Sequence, residues 1–160
     1  MTIITIPTLV TPINDVETAI KTGKYDHCHP AISRISLVKN LENKKVSLVC
    51  FGKIVRKKKM DKFLASLGKK ICMNAPNYML GFLQNPNAKT MDELKGKSIV
   101  AVENNPSSLF FDDDRKPCFL GIHRLKTNSN DYRYLLLMPD RNKYPGHWAI
   151  LAEDLNPYVI

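Results

Sequence analysis

The chain has 160 residues, 44% of them hydrophobic and 24% charged. This composition excludes wholesale disorder and supplies enough apolar side chains for a core, in one domain or two small ones. The net charge of +9 points to an anionic partner, and no apolar run approaches the roughly 18–20 residues that cross a bilayer.

The opening MTIITIPTLVTPIND lacks a basic leader, and Pro7 and Pro12 interrupt its apolar run. The expected location is therefore the cytoplasm, with association to the nucleoid. Residues 2–13 predict one or two short strands, TIITI and TLVTPI. Val16–Thr22 predicts a helix capped by Asn14 or Asp15 and stopped by Gly23. KYDHCHP reads as a loop ended by Pro30. Ile32, Ile35, Leu37, Val38 and Leu41 mix helical and strand spacing, and Glu42-Asn43-Lys44 marks a turn. Val46–Val55 (VSLVCFGKIV) predicts a strand, with Gly52 marking a bulge or bend.

The clearest helix follows. Met60, Phe63, Leu64, Leu67 and Ile71 fall at i, i+3, i+4, i+7 and i+11, an apolar stripe of about 100°. Lys58, Lys59, Lys62, Lys69 and Lys70 fall on the opposite side. Asn74 and Pro76 are stop signals, and Gly68 is an earlier one. Pro76–Lys89 reads as loop, with the link between two parts near residues 84–90.

Thr90-Met91-Asp92-Glu93 forms a capping box for a short helix ended by Gly96. The period then changes to two. Ser98–Glu103, Phe119–Lys126, Tyr132–Met138 and His147–Leu151 predict strands, with a turn at Asn104–Ser108 and a last strand in AEDLNPYVI. Strands every dozen or so residues, separated by turn signals, indicate a small antiparallel barrel or sandwich. The expected fold class is α+β, a basic α+β domain over residues 1–88 followed by a small β domain over 89–160.

Charge is uneven between these parts. Residues 1–88 hold 14 Lys/Arg and 5 Asp/Glu; residues 89–160 hold 10 of each. The excess concentrates in Lys44, Lys45, Lys53, Arg56, Lys57, Lys58, Lys59, Lys62, Lys69 and Lys70, against which stands only Asp61. Such a block makes a directed field for a polyanion. Nine lysines to one arginine suit point-charge contact with phosphates, because arginine forks are the usual readers of guanine edges. Weak sequence specificity follows. Few aromatics lie near the block, which favours duplex DNA over single strands, with RNA as the alternative polyanion. A basic adaptor or inhibitor docking on an acidic protein surface would use the same lysines for steering.

Other constellations carry less. Cys28, Cys50, Cys72 and Cys118 stand 22, 22 and 46 residues apart without a CxxC pair, so free and mostly buried thiols are expected. Asp26-His27-Cys28-His29 contains metal-ligand types, but adjacent residues rarely converge on one ion, and no metal or other cofactor is expected. Asp112-Asp113-Asp114 lacks EF-hand spacing and reads as an exposed turn beside Arg115 and Lys116. No GxSxG, Walker loop or HExxH occurs, so a binding protein is expected rather than an enzyme.

The strand order of the last 65 or so residues, ending in HWAILAEDLNPYVI, resembles an SH3-like barrel of the Tudor or KOW kind. Such barrels occur in chromatin, ribosomal and transcription proteins. In size, basicity and barrel-like half the chain is similar to the MotB-type early DNA-binding proteins of T-even bacteriophages. That resemblance implies non-specific duplex-DNA binding in the host cytoplasm, action on the compacted chromosome, and nucleoid or transcription proteins as partners.

Overall fold

The computed structural model describes residues 2–84, 94–103, 110–111, 117–126 and 131–153. Its order is β1 (Thr2–Ile3), β2 (Thr8–Val10), α1 (Val16–Thr22), β3 (His27–Cys28), a 3-10 turn (Pro30–Arg34), β4 (Lys44–Cys50), β5 (Val55–Arg56), α2 (Lys57–Ser66), β6 (Lys70–Ile71) and α3 (Ala75–Phe82). There follow β7 (Ser98–Val100), β8 (Phe110–Phe111), β9 (Pro117–Lys126), β10 (Asp131–Pro139), β11 (Lys143–Tyr144) and β12 (Trp148–Glu153). The fold is α+β.

The main sheet runs β1-β4-β12-β7-β9-β10-β3, with β2 beside β4, β6 beside β12 and β8 beside β9; β5 and β11 form a separate pair. Strands from 1–88 and 89–160 interleave. The β4–β12 ladder joins the two segments in antiparallel register, Cys50 opposite Ala149 through Val46 opposite Glu153. The segments that composition divides into two domains therefore share one sheet. The expected SH3-like barrel over 89–160 is not found: among the described residues the strand path is open. β12 lies between β4 and β7, parallel to β7, so β4 occupies the edge that barrel closure would need.

Alternation along the strands sends side chains to two cores. On one face Val46, Leu48, Leu120, Ile122 and Leu151 pack with Tyr78, Met79 and Phe82 of α3. On the other, Val49, Val100, Ile150 and Ala152 pack with Met60 and Leu64 of α2. Tyr144 stacks on Trp148 at 5.2 Å in that second core, with Phe51 6.1 Å from Tyr144 on the other side.

Local signals placed several elements. Asp15 caps α1, accepting from the Glu17 and Thr18 amides, and Gly23 follows its end. The strand expected over Val46–Val55 breaks: β4 stops at Cys50, and Gly52 takes φ +70° to turn the chain into β5. The expected helix also stops early. Gly68 at φ +67° ends it, and Ile71 lies in β6 instead. The region expected to be loop after Pro76 contains α3. Pro76 sits in its first turn, where its missing N–H leaves no bond unmade, and every residue of α3 is buried. KYDHCHP, also expected to be loop, contributes β3 to the sheet edge beside β10. The Thr90–Glu93 capping box, the Asn104–Ser108 and Asp112–Asp114 turns and the last strand lie outside the described residues.

Asn77 of α3 ties the first layer together. Its Nδ2 donates to the Ile13 and Val38 carbonyls at 2.8 Å each, and its own carbonyl accepts from the Ile13 amide. Gly81 permits that packing, since a Cβ there would stand 2.0 Å from the Thr11 carbonyl oxygen. None of the four cysteines forms a disulfide; Cys50, Cys72 and Cys118 are buried and Cys28 half-buried.

Candidate nucleic-acid interface

The ten basic residues of the block divide between the two faces of the sheet. Along β4, Val46 and Leu48 point into the α3-side core and Val49 into the α2-side core. By alternation Lys44 shares the first face and Lys45 the second. Lys44 is half-buried, with its Nζ bonded to Glu153, donating to the Met73 carbonyl at 2.7 Å and lying 4.3 Å from the centre of the Tyr78 ring. Burial is the largest single influence and lowers its proton affinity, but the Glu153 hydrogen bond together with the charges of Cys72, Glu153 and Tyr78 outweighs it and raises the pKa above the ordinary value. Beneath it, burial pushes the Cys72 thiol up to about 12. Lys70 joins the same carboxylate at 4.0 Å. Lys44 and Lys70 thus serve Glu153, which also accepts from the Met73 amide just before α3.

The other eight gather around α2. Lys69 donates to the buried Ser47 hydroxyl at 2.8 Å, which fixes β6 against β4. Lys45, Lys53, Arg56, Lys58, Lys59 and Lys62 are exposed and Lys57 is half-buried. Among the described residues none of these seven makes an ion pair. Met60 and Leu64 fix the buried side of α2, so the 100° step sends Lys58, Lys59 and Lys62 outward. The helix opens on Lys57, Lys58 and Lys59 with no acid in its first turn and no side-chain cap. Three cations at the positive end of a helix repel its dipole, an arrangement that an anion relieves.

Two further cations extend this face. β11 brings Lys143 opposite Arg56, and the Lys57 amide donates to the Asn142 carbonyl at 3.3 Å. Arg141 and Lys143 fall outside the block in the sequence, because some 80 residues separate them from it. Residues 53–62 with 140–143 place eight cations around Asp61 and Asp140, a local charge of +6. Beside them opens a groove of about 660 Å³, lined by Ile54, Met138, Pro139, Arg141, Asn142, Lys143, Pro145 and Trp148.

The Asp26–His29 segment and His123 have structural roles. In the Asp26–His29 segment, Asp26 accepts from the Arg133 amide at 2.8 Å, His27 meets Tyr134 edge-on, and His29 Nδ1 accepts from the Ala31 amide. His123 on β9 has Nδ1 2.6 Å from the Ser98 hydroxyl and its ring 6.3 Å from His147. Ser98 is 1% exposed, so this pair bridges β7 and β9 beneath the surface.

Burial, aided by the charge of His147, lowers the pKa of His123 below its ordinary value. The folded protein then holds this proton less tightly than the unfolded chain. The stability is fully present above the unfolded value near 6.5 and is lost as pH falls through it toward the folded value. Thermal unfolding from about pH 8 to about pH 5 checks this: His123→Gln flattens the acid-side fall in Tm. An unaltered fall in the variant assigns it to other groups.

Comparison with protein-family models, curated proteins and solved structures returns no match for this chain. Among the described residues no helix is long and apolar enough to cross a membrane.

Proposed function

We propose that the protein binds nucleic acid without strong sequence preference, with duplex DNA as its main ligand and the phosphates as the contacted groups. The observation that carries this is the run of exposed Lys53, Arg56, Lys58, Lys59 and Lys62 with half-buried Lys57, leading into and along the start of α2, without ion pairs among the described residues. Lysine ammoniums act as mobile point charges, so they neutralise phosphates wherever the groove spacing puts them. Arg56 can fork onto one phosphate while the lysines follow the strand. Lys45 and Lys69 border the same face; Lys44 and Lys70 do not contact phosphate in this reading. Action on the nucleoid or on transcription, and the likeness of the β-rich part to SH3-like nucleic-acid-binding modules and of the chain to MotB-type phage proteins, belong to the same proposal.

Fluorescence anisotropy of the full chain against a random-sequence duplex, over a salt series, tests it. With four to seven of these cations on phosphates, log affinity falls linearly with log salt at a slope of about −4 to −6. Sequence changes in the duplex leave affinity nearly constant. Failure to bind at low salt, or an affinity indifferent to salt, would overturn the proposal. A duplex-RNA competitor of equal potency would transfer the preference from DNA to the phosphate backbone in general.

A further inference from the structure

The groove beside the basic face differs from it in chemistry. Its walls are Ile54, Met138, Pro139, Pro145 and the edge of Trp148, and its rim carries Arg141 and Lys143. Ile54 is 70% exposed, a large aliphatic side chain held out between Lys53 and Val55 at the lip. The floor is rigidly held: Trp148 is 5% exposed and stacked on Tyr144, which is itself fixed between Phe51 and Phe119. β5 and β11 hold the two sides at a set separation, Val55 opposite Tyr144 and Arg56 opposite Lys143. At about 660 Å³ the groove lies within the roughly 300–1,000 Å³ range of clefts that enclose a ligand.

We infer that this groove docks a segment of a partner protein in which apolar side chains are interleaved with aspartates and glutamates. Charge complementarity selects the acids. Arg141 and Lys143 stand on the rim, with Arg56 beside Lys143. Carboxylates flanking an inserted Leu or Phe meet these cations at the edge, where they remain partly hydrated and orient the chain. The apolar walls select the anchor. A nucleobase in the groove would meet mostly Ile, Met, Pro and Trp carbons, with Asn142 and the Trp148 indole N–H the only uncharged polar groups among its side chains, and an unmet donor or acceptor costs affinity. An aliphatic or aromatic side chain leaves no such group. The rim cations Arg56, Arg141 and Lys143 belong also to the basic face, whereas the apolar anchor site of Ile54, Met138, Pro139, Pro145 and Trp148 takes no part in phosphate binding, so the Ile54 variant separates the two.

Trp148 is the only tryptophan of the chain, so its emission reports the groove directly. The full-length protein is titrated with a synthetic peptide of Leu and Phe interleaved with Asp and Glu. Two controls follow: one with Ser in place of Leu and Phe, one with Asn and Gln in place of the acids. Saturable change in Trp148 emission is expected with the first peptide, with affinity at least about tenfold weaker for each control. Ile54→Ser weakens the peptide by about tenfold and leaves duplex-DNA affinity within about twofold; Ile54 is exposed, so the fold is not at risk. Equal binding of the Ser control would reduce the effect to surface charge and overturn the inference. So would a response of Trp148 to a single-stranded oligonucleotide and none to the peptide, which would put a base in the groove. Neither result touches the salt-series test of DNA binding.

Discussion

Replacing Lys58, Lys59 and Lys62 together with glutamine makes the salt slope of duplex-DNA binding shallower by about 2.7, at about 0.9 for each phosphate that is no longer neutralised. At about 0.1 M salt the affinity falls on the order of 10²-fold, evenly on every sequence. The evenness matters as much as the size. A residue reading a base edge would weaken one sequence more than another, whereas these side chains project from the outer face of α2 as ammoniums without an ion pair among the described residues. Stability is unchanged or slightly improved, because three like charges leave the first turns of a helix that has no acid there.

Lys44→Gln gives the opposite pair of results. The slope stays the same, because the Lys44 ammonium is bound to Glu153 on the other face of the sheet. Stability falls by about 1–3 kcal/mol, since Glu153 then faces a half-buried site with its strongest partner removed. Denaturant unfolding and anisotropy on the same two variants separate the roles. A shallower slope for Lys44→Gln, or an unchanged one for the triple variant, would move the phosphate surface off α2.

That contrast shows how far the sequence can be read. The density of the block is plain in it, and so is the outward direction of Lys58, Lys59 and Lys62, because a 3.6-residue period is a local property. The partner of Lys44 is not, because Glu153 lies 109 residues away and β4 meets β12 only in the folded sheet. Asp15 and Gly23 bound α1 through equally local chemistry, so its limits are legible too. α3 reads as loop because burial on all sides leaves no polar face, hence no period, and Pro76 at its start resembles a breaker. The barrel expectation rests on strand spacing, which does not say which strands pair: a neighbour from the first half takes the position beside β12. The groove is invisible for a similar reason, being assembled from Ile54 and from residues 138–148.

Leu64→Ala is expected to cost about 2–5 kcal/mol, the second large effect, whereas Leu67→Ala costs under about 1 kcal/mol. Both residues belong to the apolar stripe that the helical period picks out, and the stripe alone gives them, with Phe63, the same expected burial. The structure separates them. Leu64 is 1% exposed, against Val49, Val100, Ile150 and Ala152 in the α2-side core. Leu67 is 42% exposed, because the helix has already ended at Ser66 and Gly68 turns the chain away. Phe63 packs from the edge of that core and is half-buried, so Phe63→Ala falls between them. Truncating Leu64 leaves a cavity between α2 and the sheet, and neighbours that are part of the β4–β12 ladder cannot move in to fill it. Chemical denaturation of the three variants ranks them. The change at Leu64 also loosens the lysine face, since α2 is held to the sheet largely through Met60 and Leu64. DNA affinity of Leu64→Ala should therefore fall as the protein approaches its unfolding midpoint, with the salt slope of the remaining folded fraction unchanged. Equal costs at positions 64 and 67 would mean that the helix continues through Gly68 and buries the whole stripe; the 100° step would still send Lys58, Lys59 and Lys62 outward, so the phosphate face would survive that result while the helix end at Ser66 would not.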